Sequence, residues 1–72
     1  MNRKDYTEDG KIIKMALFDK RMTQRELVEQ IRENGIPSAN EALLSMAMHG
    51  YLTPTTERMI TTAKRILGEG GV

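Results

Sequence analysis

The sequence contains no cysteine and no tryptophan, and it has only two tyrosines, one phenylalanine and two prolines. Without cysteine the chain has no disulfide, no thiolate metal ligand and no cysteine nucleophile, and a reducing cytoplasm is the expected compartment. Its apolar residues occur only in short runs, so we expect neither a membrane-spanning segment nor a secretory signal. Because aromatic residues are scarce, the core must consist of aliphatic side chains and methionine, which favours packed helices over a β-sandwich.

Length and charge narrow the class of protein further. The 72 residues suffice for one small domain. Eleven Lys and Arg residues against ten Asp and Glu residues leave a net charge of +1, which excludes a strongly cationic protein that binds nucleic acid by charge alone. Hydrophobic residues make up 39% of the chain, and their periodic spacing argues against intrinsic disorder.

The first periodic segment follows a polar stretch at the start of the chain. Ile13, Ala16 and Leu17 have the i, i+3, i+4 spacing of an amphipathic helix. We expect this helix to span residues 11–20, with Asp9 as its N-cap.

A capping box marks the start of the second helix. Thr23 and Glu26 are spaced so that each side chain accepts the backbone N–H of the other residue. We expect this helix to span residues 23–34 and to bury the stripe formed by Leu27, Val28 and Ile31. Gly35 is a natural left-handed residue at its end.

A third helix is predicted over residues 38–49, where apolar residues are more numerous than one buried face can hold. Either Ser38 is its N-cap or Pro37 lies in its first turn, because both residues are typical of helix starts. Gly50 is expected to end it.

The fourth helix is predicted over residues 55–67, with Thr55 as its N-cap. No segment has the pattern of a strand, so we predict an all-α domain of four short helices over residues 10–68. Residues 1–9 are expected to form an N-terminal arm, and residues 69–72 a flexible, glycine-rich tail.

The sequence offers almost no candidates for catalysis. Its only histidine, His49, precedes a helix-ending glycine and has no neighbouring carboxylate in the sequence. Zinc-protease, paired-cysteine, phosphate-loop and nucleophile-elbow motifs are all missing. We therefore expect no enzyme, no catalytic residue, no metal site and no cofactor, and we interpret His49 as a surface or C-cap residue.

The order of the helices and the residues at two of their junctions resemble the Cro and phage-repressor (XRE-like) family of helix-turn-helix DNA-binding proteins. The phrase Met22-Thr23-Gln24-Arg25-Glu26-Leu27 is similar to the opening of that family's second helix. Gly50 followed by Thr53-Pro54 is similar to the end of its third helix and the linker to its fourth. The resemblance covers residues 11–67 and implies a lambda-repressor-like fold, with the second and third helices in helix-turn-helix relation.

The resemblance also implies a function. It suggests a small, sequence-specific transcriptional regulator of the phage or mobile-element type, which binds double-stranded operator DNA as a homodimer. In such proteins the start of the second helix binds phosphate and the third helix lies near the bases. The resemblance implies that Lys20, Arg21, Gln24 and Arg25 contact the DNA backbone. It implies that Ser38, Asn40 and Ser45 lie near the bases.

Two features differ from that family. The part of the chain that holds the second and third helices is longer, with the surplus in residues 32–39, so we expect each of these helices to be about a turn longer. In addition, no Lys or Arg occurs between Glu33 and Glu57. Ser38 and Asn40 therefore have two interpretations, as DNA contacts or as helix caps only.

The apolar surplus of the third helix supports an alternative function from another class. On the same scaffold, an antirepressor would bind the DNA-binding domain of a phage repressor and block its reading surface. Methionine-rich surfaces adapt well to protein partners, although a four-helix core could also bury these residues. The partner-binding residues in this alternative are Leu43, Met46, Met48, Tyr51 and Leu52.

Overall fold

Residues 6–68, which are described by a computed structural model, form four α-helices joined by short connections. The helices are α1 (Glu8–Lys20), α2 (Gln24–Glu33), α3 (Glu41–Met48) and α4 (Pro54–Leu67). No strand occurs in residues 6–68, so the all-α class and the four helices predicted from the sequence are confirmed. The predicted tail and the first five residues of the predicted arm lie outside the described residues.

The first helix starts earlier than predicted because Thr7, and not Asp9, is its N-cap. The hydroxyl oxygen of Thr7 accepts the backbone N–H of Gly10 at 3.0 Å. Asp9 lies in the first turn, where its carboxylate accepts a hydrogen bond from Lys64 Nζ at 2.9 Å. Residues 6–9 thus form the helix start and the chain that leads into it, which corrects their assignment to an arm.

The second helix begins with the predicted capping box. Thr23 Oγ1 accepts the N–H of Glu26 at 3.1 Å, and Glu26 Oε1 accepts the N–H of Thr23 at 2.9 Å. Gly35, just after the helix, has a φ of +107°, the left-handed conformation expected there. The buried residues of this helix are those of the predicted stripe, Leu27, Val28 and Ile31.

The third helix has only eight residues, and its N-cap is Asn40. Asn40 Oδ1 accepts the backbone N–H of Leu43 at 2.8 Å. The assignment of Ser38 or Pro37 to the helix start is therefore wrong, and the third helix is shorter than the predicted span of residues 38–49.

The surplus residues instead form an irregular connection between α2 and α3. Ile36 and Ala39 in this connection are buried in the core, which holds the segment against the domain. Pro37 disfavours helical geometry at the residue before it, so α2 does not continue through Ile36. Arg32 Nε donates a hydrogen bond to the carbonyl oxygen of Ala39 at 2.6 Å and ties the end of the connection to α2.

The fourth helix starts at Pro54, with Thr53 and not Thr55 as its N-cap. Thr53 Oγ1 accepts the N–H of Thr56 at 3.2 Å, and Thr56 Oγ1 accepts the N–H of Thr53 at 2.7 Å. Proline is favoured at the first position of a helix, which explains the earlier start. The buried Thr56 hydroxyl also donates to the carbonyl oxygen of Tyr51 at 2.9 Å, so it fixes the connection from α3.

The core lies between α4 and the other three helices, all of which contact it. Met48 and Met59 are fully buried there, as expected of a core poor in aromatic residues. The remaining core residues are aliphatic: Ile13, Ala16, Leu17, Leu27, Val28, Ile31, Ile36, Ala39, Leu44, Ala47, Ile60, Ala63 and Leu67.

Candidate functional site

The first turns of α2 and α3 lie side by side at one surface, which we call the α2–α3 surface. Arg25 is the second residue of α2 and Glu41 is the first residue of α3. The distance from Arg25 Nε to Glu41 Oε2 is 3.5 Å, and both side chains are largely exposed. The ion pair therefore joins two helix N-termini at the surface of the protein.

Helix N-termini carry backbone N–H groups without intrahelical partners and a partial positive charge. In α2 the Thr23 hydroxyl satisfies one of these groups, and in α3 the Asn40 side chain does the same. Two such termini at one surface favour an anionic ligand, but the carboxylate of Glu41 stands at the same place. Arg25 is thus partly neutralised within the protein.

The predicted basic contacts do not form a single cluster. Arg25 lines one face of α2, where Arg32, Asn40 and Glu41 are its neighbours. Lys20 and Arg21 lie beside the neighbouring face of α2, together with three carboxylates. These carboxylates, Glu26, Glu29 and Glu33, reduce the positive charge available from Lys20 and Arg21.

Arg21 has an unusual backbone conformation at the junction of α1 and α2. Its φ of 55° is the only positive φ of a non-glycine residue in the part of the chain that the structure describes. Its N–H donates to the carbonyl oxygen of Phe18 at 3.1 Å and ends α1. The side chains of Lys20 and Arg21 are exposed directly before α2.

The three neutral polar residues that were predicted to lie near the DNA bases have different positions. Asn40 caps α3 through Oδ1, which leaves its amide N–H groups free to donate. Ser38 is exposed in the α2–α3 connection and is not a cap of either helix. Ser45 is exposed one turn after Glu41, so it and Asn40 lie on the accessible part of α3.

Arg32 is a residue of this surface that the sequence interpretation missed. Its hydrogen bond to the Ala39 carbonyl oxygen sets the path of the connection into α3. No local pattern indicates such a bond, because it joins a helix to a carbonyl in an irregular segment. The only available signal was a basic residue in the last turn of a helix.

The predicted partner-binding residues divide into buried and exposed ones. Met48 is fully buried, so its assignment to a partner-binding surface is wrong: α3 turns it toward the core together with Leu44 and Ala47. Leu43 is partly buried against the core. The exposed members are Met46, Tyr51 and Leu52, at the end of α3 and in the connection to α4.

His49 is the C-cap of α3 and has a well-defined environment. Its ring stacks on that of Tyr6, with 4.4 Å between ring centroids, and its Nδ1 lies 2.8 Å from the Ser45 carbonyl oxygen. Lys14 Nζ lies 5.3 Å from the centre of the Tyr6 ring. Within residues 6–68 no three acidic, histidine or cysteine side chains lie close enough together to hold a metal ion.

Comparisons with protein-family models, with curated proteins and with solved structures find no match to this chain. None of the helices in residues 6–68 has both the length and the apolar character needed to cross a membrane.

Proposed function

We propose that this protein is a small, Cro-like regulator of transcription that binds double-stranded operator DNA through a helix-turn-helix formed by α2 and α3. The observation that carries this proposal is the meeting of two exposed helix N-termini at one surface, which the Arg25–Glu41 distance of 3.5 Å records. Helix N-termini are natural sites for phosphate, and an exposed helix beside such a site can enter the major groove.

In this proposal the first turn of α2 binds the DNA backbone. Gln24 and Arg25 follow the Thr23 cap directly, and Lys20 and Arg21 are exposed just before it. Phosphate contacts of this kind fix the position of the protein on the duplex and contribute affinity without sequence preference.

The accessible side of α3 then lies near the base edges. The free amide N–H groups of Asn40 and the exposed hydroxyl of Ser45 can donate to base acceptors in the groove. Ser38, in the connection, is suited to donate to a phosphate oxygen instead. This side of α3 carries no Lys or Arg, so the affinity rests mainly on the contacts of α2 and α1.

In this proposal Glu41 lowers the affinity of the protein for DNA. Arg25 must exchange the Glu41 carboxylate for a phosphate when DNA binds, and the freed carboxylate then repels the backbone. We therefore expect modest affinity with the shallow salt dependence of a few phosphate contacts, and a preference for sites where two copies of the protein bind together.

The test is a selection of bound sequences from a random duplex library, followed by titration of the selected duplex at several salt concentrations. The proposal expects enrichment of a site with two-fold related half-sites and an affinity that decreases as salt rises. No binding to any duplex at ~50 mM salt, where phosphate contacts are strong, would contradict it.

A second candidate function is supported by a separate observation. The apolar side chains of Met46, Tyr51 and Leu52 are exposed together around the end of α3, next to a stretch without basic residues. Exposed apolar clusters of this kind mark protein-binding surfaces. In this function the protein is an antirepressor that captures a phage repressor, and a stable complex without DNA binding by the protein alone would favour it.

A further inference from the structure

The connection between α2 and α3 is longer than the turn of an ordinary helix-turn-helix. Such a turn has about three or four residues, and its shortness fixes the second helix relative to the first. Here the connection occupies residues 34–40. Other contacts must therefore fix the start of α3.

Arg32 provides one of these contacts. It lies in the last turn of α2, and its Nε donates a hydrogen bond to the carbonyl oxygen of Ala39 at 2.6 Å. Ala39 is buried and directly precedes Asn40, the N-cap of α3. The bond therefore holds the end of the connection against α2, one residue before the cap of α3.

The first turn of α3 has few contacts of its own with the core. Its side chains, at positions 41–43, are exposed or only partly buried, and Leu44 is the first buried residue of the helix. The turn is thus anchored by Leu44 on one side and by Ala39, with its bond to Arg32, on the other. Loss of that bond leaves only the buried methyl group of Ala39 to hold the chain just before the helix.

Asn40 is the residue whose position this bond affects most. In the proposed function its amide N–H groups donate to base acceptors, and α3 itself contains no Lys or Arg. A binding group must be held within ~0.5 Å of its productive geometry. Sequence preference therefore depends on how firmly the start of α3 is fixed.

We propose that Arg32 is a positioning residue for sequence discrimination, and that it acts by fixing Asn40 through the Ala39 carbonyl. This role rests on the proposed function, and it separates the source of specificity from the source of affinity. The backbone contacts at the start of α2 do not involve Asn40, and phosphate contacts carry no sequence information. Loss of the bond should therefore reduce the preference for the selected sequence and leave the salt dependence unchanged.

Two variants of Arg32 separate the hydrogen bond from the charge. Arg32→Gln places an amide N–H group as many bonds from Cα as Arg Nε is, so it can donate to the Ala39 carbonyl oxygen. Arg32→Met has a side chain of similar length without a donor. Both variants lose one positive charge, both new residues are good helix formers, and the position is exposed. The two proteins thus differ mainly in the donor.

The first measurement is the ratio of the affinity for the selected duplex to the affinity for a duplex with altered half-sites. Arg32→Met is expected to lower this ratio about tenfold relative to Arg32→Gln, within the range that one base contact of asparagine contributes. Arg32→Gln should stay close to the parent. The slope of log K against log salt should be the same in both variants, because their charge is the same.

A second substitution shows whether Arg32 acts through Asn40. Asn40→Ser keeps a side-chain oxygen that caps α3 but lacks the amide N–H groups. In this background Arg32→Met and Arg32→Gln are expected to discriminate equally, because the group that the bond positions is no longer present. The full tenfold difference in this background would overturn the inference.

Amide hydrogen exchange provides a measurement without DNA. The N–H of Leu43 donates to Asn40 Oδ1, and it is expected to exchange severalfold faster in Arg32→Met than in Arg32→Gln, because the first turn of α3 opens more often. The N–H of Leu27, which donates to the Thr23 carbonyl oxygen in α2, is the control and should exchange alike in both.

The outcomes distinguish this inference from the proposed function. If the parent prefers the selected duplex but the two Arg32 variants discriminate equally, the inference is overturned and the proposed function stands. Equal exchange at Leu43 in the two variants would overturn the inference as well. A parent protein without any sequence preference would overturn both.

Discussion

Thr7 binds the carbonyl oxygen of Met48 twice, through its backbone N–H at 2.9 Å and through its hydroxyl group at 3.2 Å. The same hydroxyl oxygen caps α1 by accepting the N–H of Gly10. Thr7 thus supplies an acceptor for a backbone N–H group in the first turn of α1 and joins this turn to the end of α3. The two helices approach so closely at this point that a methyl group on Gly10 would overlap the Met48 carbonyl.

The first prediction concerns this close approach. Gly10→Ala is expected to destabilise the domain by ~1–3 kcal/mol, because the obstacle is backbone that cannot rotate away. Helix propensity alone predicts the opposite, since alanine within a helix is favoured over glycine by ~1 kcal/mol. Urea denaturation of Gly10→Ala and of the exposed control Lys11→Ala distinguishes the two effects. A Gly10→Ala protein as stable as the parent would show that α1 and α3 are further apart.

The second prediction concerns the core. Leu27 is fully buried one turn after the Thr23 cap, and Leu27→Ala is expected to cost ~2–5 kcal/mol. A domain of this size has a total stability of only ~5 kcal/mol, so the variant should be largely unfolded by circular dichroism at room temperature. Leu52→Ala, at an exposed leucine, is the control and should melt close to the parent.

The third prediction separates the roles of the two charges at the α2–α3 surface. If α2 binds phosphate, Arg25→Ala weakens binding to every duplex and reduces the slope of log K against log salt by ~1. Glu41→Gln should strengthen binding, because it frees Arg25 and removes a carboxylate from the surface. Fluorescence anisotropy with labelled duplex DNA measures both effects.

The controls for this experiment make the same changes of charge on α4. Arg65→Ala and Glu57→Gln, both at exposed positions, change the net charge by the same amounts away from the Arg25–Glu41 pair. Equal effects from the two sites would show that only net charge matters, and would contradict a phosphate site at the start of α2.

The fourth prediction addresses the antirepressor function. Met46→Ser and Leu52→Ser change exposed side chains and should leave the fold intact, whereas Met48→Ser opens the core and should destabilise it. If a repressor is the partner, the double variant Met46→Ser with Leu52→Ser should abolish its capture in a pull-down, because anchor residues dominate such interfaces. Unchanged capture by this folded variant would exclude this surface.

Part of the candidate site was predictable from residues that are close in the chain. The exposed start of α2 follows from Thr23 and Glu26, which satisfy each other within one turn. The pairing of Arg25 with Glu41 was not predictable, because it depends on how the irregular connection after α2 returns the chain to the start of α3. That Asn40 caps α3 depends on where this helix starts, which the sequence pattern placed at Ser38 or Pro37 instead.

The sequence by itself determined the all-α class, the four helices and the buried stripe of α2, because amphipathic spacing and capping act over a single turn of chain. Tertiary structure decided the path of the connection between α2 and α3, because Ile36 and Ala39 are buried in the core there. It also decided that Met48 enters the core while Phe18 stays outside. Both outcomes depend on which side of a short helix meets α4 and the other helices, a choice made by packing between residues that are distant in the sequence.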